Sequence, residues 1–209
     1  MLTLSSMPGA CSLADHIALV WSGLPYKVNI ISYQDTKSPE FLAKNPQGMV
    51  PVLEEGDWVL TQNLAILTYI TEKAPEANIG AKDNSPESKA KLASWLAYIT
   101  SDYHKAMGNL FRADAFGLSD EAKTQLKAAT VQMAKDNHLS KMDQYLAKHQ
   151  FLMDNRKTVA DGYFWVVTSW MYGFIPDLAT EFPNLHAYFE RLKQDPGIQK
   201  ALEEQKIAS

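Results

Sequence analysis

The stretch Ser6-Met7-Pro8-Gly9-Ala10-Cys11-Ser12-Leu13-Ala14 places the only cysteine of the chain where a predicted strand leads into a predicted helix. Apolar residues precede it at Met1–Leu4, and residues 13–21 repeat apolar side chains at helical spacing. The N–H groups and partial positive charge of a helix N-terminus favour thiolate over thiol, and the thiolate is the nucleophilic form. The sequence therefore predicts a reactive Cys11, and the alternative is a small buried apolar residue.

The composition is that of an ordinary globular protein, with 46% hydrophobic and 21% charged residues in a chain of 209. This length suits one large domain or two small ones. A net charge of −4 does not favour binding to nucleic acid. No apolar run reaches the ~18 residues of a membrane span. A single cysteine and the absence of a signal-peptide pattern predict a reduced, cytoplasmic protein.

Short strand-like and helix-like segments alternate in the first third of the chain. In order, the predicted elements are residues 2–4, 12–22, 26–31, 38–42, 52–54, 58–60 and 64–72. Gly23 ends the first helix, Ser38 and Pro39 open the second, and the polar Glu55-Gly56-Asp57 forms a hairpin turn. This order predicts an α/β domain with a mixed four-stranded sheet.

The pattern changes after residue 74, where Pro75, Gly80 and Pro86 interrupt it. Every later segment has helical spacing, and Thr158-Val159-Ala160-Asp161 has the form of a capping box before the apolar run 162–173. We assign the aromatic residues of that run, Trp170 included, to a helical core. The sequence predicts a first domain at 1–76, a linker at 77–86 and an all-α domain at 87–209.

Two segments of the first domain are expected to meet on one face of the sheet. One is the turn at Cys11, and the other is the loop of residues 45–52, in which Pro51 opens a strand. A cis Val50-Pro51 bond would leave backbone groups of Val50 or Val52 free to pair with a peptide as an added strand. A trans turn proline is the structural alternative.

A third segment, Gln62-Asn63, precedes the helix that begins at Leu64. Asn63 is a suitable N-cap, and a helix N-terminus binds carboxylates. Plain helix capping is the structural alternative. Together, a thiol, a peptide-binding strand end and an anion site favour a thiol-bearing peptide with free carboxylates as the ligand.

Four stretches carry a resemblance to a known family. They are Pro8-Gly9-Ala10-Cys11-Ser12-Leu13-Ala14, Asn45-Pro46-Gln47-Gly48-Met49-Val50-Pro51, the segment from Trp95 to Arg112, and the capping box at Thr158. They resemble the bacterial glutathione transferases, the beta class in particular, over nearly the whole chain. The resemblance implies a thioredoxin-like N-terminal domain, an all-helical C-terminal domain, a homodimer and glutathione as cosubstrate.

The resemblance also implies roles for single residues. Cys11 matches the cysteine that faces the glutathione sulfur, and His104 the histidine near it. The glutathione-binding set that the sequence predicts is Val50, Pro51, Val52, Gln62, Asn63, Lys105 and Asp102. Within it, Val50 contacts the peptide backbone, Gln62-Asn63 bind the γ-glutamyl end and Lys105 reaches the glycyl carboxylate. Three positions depart from the family pattern: Ser6 replaces a tyrosine, Asn63 a serine and Ala97 an asparagine.

Activation of a glutathione thiol, whose unperturbed pKa is about 8.5, requires polar groups aimed at the sulfur. Cys11, Ser12 and His104 are the catalytic candidates. His104 is among them because histidine exchanges a proton near neutrality. A helix-surface histidine is the alternative for His104. Asp102 either reaches a ligand amine across a dimer interface or is a solvated carboxylate.

An apolar pocket for a second substrate is predicted between the domains. Its expected lining is Met7, Met107, Phe111, Arg112 and Phe116. The leading hypothesis is a transferase that conjugates the glutathione thiol to small hydrophobic electrophiles. The alternatives are monothiol disulfide exchange through Cys11 and a non-catalytic glutathione-binding module. The histidines show no metal-ligand spacing, so no metal is expected.

Overall fold

The computed structural model describes residues 1–207, and its first part is a four-stranded mixed sheet. The strands are β1 (Leu2–Ser6), β2 (Tyr26–Ile30), β3 (Val52–Glu55) and β4 (Trp58–Thr61). Across the sheet the order is β2-β1-β3-β4; β1 is parallel to β2 and antiparallel to β3, and β3 is antiparallel to β4. The predicted strands and hairpin are confirmed.

Three helices accompany the sheet, and they are α1 (Leu13–Ser22), α2 (Pro39–Lys44) and α3 (Asn63–Lys73). Helix α1 ends at Gly23, whose φ of 68° is the left-handed conformation that favours glycine. Helix α2 begins with a proline behind Ser38, whose Oγ accepts a hydrogen bond from the Phe41 N–H at 3.2 Å. Both predicted helix ends are therefore confirmed.

The rest of the described chain is helical. The helices are α4 (Pro86–Ala97), α5 (Gly108–Arg112), α6 (Asp120–Ala134), α7 (Ser140–Leu146), α8 (Val159–Met171), α9 (Leu178–Glu181), α10 (Pro183–Lys193) and α11 (Pro196–Glu204). Wider π-helical turns, Tyr98–His104 and Lys135–Leu139, follow α4 and α6. This confirms the predicted all-α second part, whose last two residues, 208–209, lie outside the described residues. In residues 1–207, no helix has both the length and the apolar character needed to cross a bilayer.

Helix α8 lies at the centre of the helical part, and nearly all of its residues are buried. The predicted capping box is present, since the Asp161 carboxylate accepts a hydrogen bond from the Thr158 N–H at 2.8 Å. Helix α8 packs on α1 through Gly162, where a Cβ would lie 3.0 Å from a ring carbon of Trp21. Because this contact is direct, the buried apolar side chains of both parts form one continuous cluster.

The segment predicted as a linker is fastened to the helical part. The Arg156 guanidinium donates hydrogen bonds to the carbonyls of Asn78 and Gly80, both at 2.6 Å. The Val159 N–H, at the start of α8, donates to the Ile79 carbonyl at 2.8 Å. The division at residues 76 and 86 stays a prediction.

Helix α11 docks on α1 through a buried histidine. His16 is fully buried, and its Nε2 lies 2.7 Å from a carboxylate oxygen of Glu204. The Gln205 amide donates to His16 Nδ1 at 3.0 Å and to Ser6 Oγ at 2.9 Å. Because Nδ1 accepts, His16 is the neutral Nε2–H tautomer that donates to Glu204.

We predict that His16 makes the protein less stable as the pH falls from 7 to 5.5. Burial lowers the pKa of His16 below its ordinary value, although Glu204 opposes this effect. The unfolded chain then binds a proton that the folded chain excludes, so the free energy of unfolding decreases on acidification, by at most about 1.4 kcal/mol per pH unit. Urea unfolding at several pH values across this range gives the free energy of unfolding as a function of pH. We expect this free energy to change less with pH in His16→Gln than in the wild type. Equal slopes for the two proteins would contradict the prediction.

Candidate active site

A cavity of about 540 Å³ opens between the sheet and the helical part. Seven predicted site residues line it: Met7, Cys11, Val50, His104, Lys105, Phe111 and Arg112. The remaining lining comes from Pro8, Gly9, Ala10, Tyr33, Thr36, Gly48, Met49, Gly108 and Trp170. The structure thus brings the thiol, the histidine and two cations to one open cavity, as a site for an anionic thiol ligand requires.

Cys11 lies in the turn before α1 and is half-buried, with its sulfur at the cavity. Its Sγ is 3.6 Å from the Val50 carbonyl oxygen, to which the thiol donates, and the Val50-Pro51 bond is cis as predicted. Burial, followed by the charge of Asp15, raises the pKa of Cys11 to about 12. Burial opposes the predicted thiolate, because it raises the pKa by more than the backbone N–H groups of Cys11 and Ser12 lower it.

Ser12 does not line the cavity. It is fully buried, and its Oγ accepts hydrogen bonds from Ser6 Oγ at 2.9 Å and from the Met7 N–H at 3.2 Å. Ser6 in turn accepts the hydrogen bond from Gln205. Ser12 therefore holds the turn that carries Cys11, and its hydroxyl lies outside the cavity lining. The small Ser6, where the family pattern has a tyrosine, is part of this hydrogen-bonded chain.

Asn63 is the first residue of α3 and not its cap, since the preceding Gln62 has a φ of 76°. The Asn63 side chain is buried, and its amide nitrogen donates to an Asp15 carboxyl oxygen at 2.7 Å and to the Cys11 carbonyl at 2.9 Å. Burial raises the pKa of Asp15 well above its ordinary value. The longer amide, where the family pattern has a serine hydroxyl, spans this distance to Asp15.

Gln62 and Asn63 do not contact the cavity. The Gln62 side chain is exposed and donates to Gln47 Oε1 at 3.3 Å. What this corner offers a ligand is the N-terminus of α3, whose first N–H groups have no acceptor within the helix. A γ-glutamyl group there stays a prediction that rests on backbone donors and not on the Asn63 side chain.

Pro51 and Val52 are buried outside the cavity lining. Val52 lies within the sheet, paired with Ser5 on β1 and with Thr61 on β4. Its neighbours on both sides therefore prevent an added strand at Val52. Val50 is the residue of this segment that faces the cavity.

His104 lines the cavity and is held from behind by a buried tyrosine. Its Nδ1 lies 2.8 Å from the Tyr163 hydroxyl oxygen, and that oxygen lies 3.4 Å from Asn63 Oδ1. Burial, and then the positive charge of Arg112, lowers the pKa of His104 below its ordinary value. The imidazole is therefore neutral at pH 7 and able to accept a proton.

Two exposed cations stand at the mouth of the cavity, Lys105 and Arg112. Arg112 lies across Gly108, where a Cβ would be 2.7 Å from Arg112 Nη2. Asp102 is exposed outside the lining and accepts a hydrogen bond from Ser101 at 3.0 Å. These positions leave the cavity mouth positive, which favours an anionic ligand.

The apolar wall differs from the predicted one. Met7 and Phe111 line the cavity, but Met107 is fully buried in the helical core and Phe116 lies exposed on the turn after α5. Trp170 was expected in the helical core. It packs against that core and also lines the cavity, and its Nε1–H donates to the Gly9 carbonyl at 2.8 Å.

Tyr33, Met49 and Trp170 are lining residues that the sequence did not indicate, because distant segments bring them together. In residues 1–207, no three His, Cys, Asp or Glu side chains are grouped so that they could hold a metal ion.

Comparison with known proteins supplies two family matches. The model of the glutathione S-transferase N-terminal domain matches residues 15–78, and that of the glutathione S-transferase C-terminal domain matches residues 102–205. The chain belongs to the glutathione S-transferase family.

Individual glutathione S-transferases are similar over their full lengths. The chain is 35% identical to glutathione S-transferase GST-4.5 of Xanthomonas campestris pv. campestris, covering 97% of this chain and 98% of that protein. A glutathione S-transferase from Xylella fastidiosa is 37% identical, with a TM-score of 0.93 and complete coverage of both chains.

Two further structures, both 34% identical, cover 99% of this chain and all of theirs. They are a sphingomonad transferase complexed with glutathione and a beta-class transferase from Sphingomonas chungbukensis, with TM-scores of 0.85 and 0.86. The resemblance to bacterial transferases of the beta class is confirmed.

We predict that the thiol of this glutathione S-transferase is slow to alkylate. A pKa of about 12 leaves so little thiolate at neutral pH that iodoacetamide should react at least about a hundredfold more slowly than with free cysteine. Cys11 is the only thiol, so mass spectrometry reads it without interference. The urea-unfolded chain is the control and should react at the free-cysteine rate. A folded-state rate close to that control would contradict the raised pKa.

Proposed function

We propose that the protein conjugates the thiol of glutathione to small hydrophobic electrophiles. The observation that carries this proposal is that one cavity is lined by Cys11, Val50 and His104, with Lys105 and Arg112 at its mouth. A tripeptide with a thiol and two carboxylates matches this combination of groups. The relatives from Xanthomonas and Xylella are glutathione S-transferases, which supports the same reaction.

We propose a pose in which the glutathione sulfur lies between Cys11 and His104. The peptide backbone then lies along Val50, and the glycyl carboxylate meets Lys105 or Arg112. The γ-glutamyl carboxylate binds at the N-terminus of α3. Met7, Phe111, Trp170 and Met49 form an apolar wall for the electrophile.

Conjugation requires a base that removes the proton of the glutathione thiol. Cys11, with its raised pKa, stays a thiol. Its one proton, which the free protein directs at the Val50 carbonyl, turns to the ligand sulfur when glutathione binds. The neutral His104 accepts the proton, so the S–H bond breaks and an N–H bond forms while the electron pair stays on sulfur. The thiolate then attacks the electrophilic carbon, a C–S bond forms, and the leaving group departs with its electron pair. Solvent finally takes the proton from His104.

Neither alternative activity is favoured. Disulfide exchange needs an attacking thiolate, and burial of Cys11 opposes its formation. The relatives reported above are transferases, which does not favour a non-catalytic binding module.

We predict that glutathione binds by its charge as well as its shape. Lys105→Met should raise the Kd for glutathione about five- to tenfold, because a charge-assisted hydrogen bond to the glycyl carboxylate is lost. Lys148→Met, which removes an exposed lysine outside the cavity, is the matched control and should leave the Kd unchanged. Titration calorimetry gives both values. Equal Kd values for the two variants would remove Lys105 from the binding site.

The activity itself is tested with an aromatic halide as electrophile, monitored by the absorbance of the conjugate. The expected result is turnover that depends on glutathione and persists in Cys11→Ser. Wild-type protein that neither binds immobilised glutathione nor forms the conjugate would refute the proposed function.

We further propose a cytoplasmic homodimer with domains at 1–76 and 87–209 joined by residues 77–86. The edge strand β4 supports an interface, because its Trp58 and Val59 remain 45% and 36% exposed. Asp102 would reach a ligand of the partner only in such an assembly. Light scattering should give twice the chain mass for the wild type and the chain mass for Trp58→Glu. A monomeric wild type would contradict the proposal.

A further inference from the structure

Four polar side chains form a continuous hydrogen-bonded chain behind the cavity. Asp15 contacts Asn63 at 2.7 Å, Asn63 contacts Tyr163 at 3.4 Å, and Tyr163 contacts His104 at 2.8 Å. Asp15 and Tyr163 are fully buried and Asn63 is nearly so, whereas His104 reaches the cavity. The chain therefore runs from the interior to the imidazole that faces the ligand.

The orientation of the Asn63 amide sets the direction of these hydrogen bonds. A second acceptor of its nitrogen, the Cys11 carbonyl, has no proton to give, so the group facing it at 2.9 Å must be the NH₂. Asn63 Oδ1 consequently faces Tyr163 and needs a donor. The Tyr163 hydroxyl donates to Asn63 Oδ1 at 3.4 Å, and the Thr100 hydroxyl, buried beside it, is free to donate to the Tyr163 oxygen.

The same proton cannot serve His104. With the Tyr163 proton directed at Asn63, the short contact to His104 requires that Nδ1–H donates and the Tyr163 oxygen accepts. The neutral imidazole then carries its proton on Nδ1, and its Nε2 has a free lone pair. In this arrangement each hydrogen bond supports the next one along the chain.

We propose that Tyr163, backed by Asn63 and Asp15, is a positioning residue that holds His104 in the Nδ1–H tautomer, so that Nε2 takes the proton of the ligand thiol. This inference rests on the proposed function, because it assigns the base of that reaction. When the thiol S–H bond breaks and Nε2–H forms, Nδ1–H remains bound to the Tyr163 oxygen, which stabilises the imidazolium. A phenol that donated to Nδ1 would instead leave Nε2 already protonated.

Several titratable or charged groups face His104. Lys105 is the next residue after His104, and Arg112 lies on α5. Tyr163 lies on α8, and Cys11 lines the same cavity. Replacement of Tyr163 changes none of the formal charges in this set at neutral pH, because a phenol is neutral there. A shift in the pH profile of such a variant therefore reports the lost hydrogen bond.

Nitrogen NMR on histidine-labelled full-length protein tests the tautomer directly. The His104 signals are assigned by their loss in His104→Gln. The expected result is a protonated Nδ1 and an unprotonated Nε2 at pH 7.5, and a mixture of tautomers in Tyr163→Phe. A protonated Nε2 in the wild type would overturn the proposal. This measurement needs neither glutathione nor turnover.

Kinetics of glutathione conjugation provide the second test. Tyr163→Phe should lower kcat/KM about tenfold, a part of the contribution typical of a general base. The acid limb of its pH profile should move down by about half a unit or more, because the imidazolium loses its acceptor. Tyr103→Phe is the matched control: it also removes one phenol from the helical core, where the hydroxyl contacts Thr168 at 3.3 Å. Its pH profile should equal that of the wild type.

A double-mutant cycle separates positioning from general damage. In a His104→Gln background, Tyr163→Phe should change kcat/KM by less than about twofold, since the residue it positions is gone. An undiminished tenfold loss in that background, or an unshifted acid limb in Tyr163→Phe, would overturn the positioning role. If the wild type forms no conjugate, the proposed function fails, while the NMR result still decides the tautomer.

Discussion

The direct packing of helix α8 on helix α1 is the constraint on which the site depends. Gly162 provides this close approach, because a Cβ there would crowd both Trp21 and Ile17. The contact fixes α8 against the helix whose N-terminal turn carries Cys11. It therefore places Tyr163 behind the cavity and Trp170 at its wall, where Trp170 bonds the Gly9 carbonyl. The cavity is a product of the interface between the two parts and belongs to neither alone.

Burial then acts in opposite directions on the two groups that face each other in this cavity. It raises the pKa of Cys11 and lowers that of His104, because in each case it disfavours the charged form. The result is a protonated thiol opposite an unprotonated imidazole. Such a separation of pKa values divides the roles of hydrogen-bond donor and proton acceptor between two residues at one pH.

Much of the fold could be predicted from the sequence, because its signals are local. The Ser38 cap, Gly23 and the capping box at Thr158 each act within a few residues, and the structure has all three. The helical half also followed from spacing alone. Local patterns therefore determine where elements begin and end.

The site residues were harder to predict from the sequence than the fold, because their positions depend on contacts between distant segments. Asn63 and Met107 were expected at the ligand, yet both are buried away from the cavity. Asn63 illustrates the reason: its partner Asp15 lies 48 positions earlier in the chain. Trp170 packs against the core as predicted, but an apolar run cannot show that one of its side chains also reaches the loop at Gly9.

The hydrogen bond from Gln205 to Ser6 joins residues 199 positions apart and extends through Ser12 to the turn that holds the thiol. During synthesis, the sheet emerges from the ribosome long before Gln205, which follows α11, has been made. The nascent turn at Cys11 lacks this support until residue 205 has been added and released. The turn that carries Cys11 thus gains its complete hydrogen bonding only after residue 205 has been made.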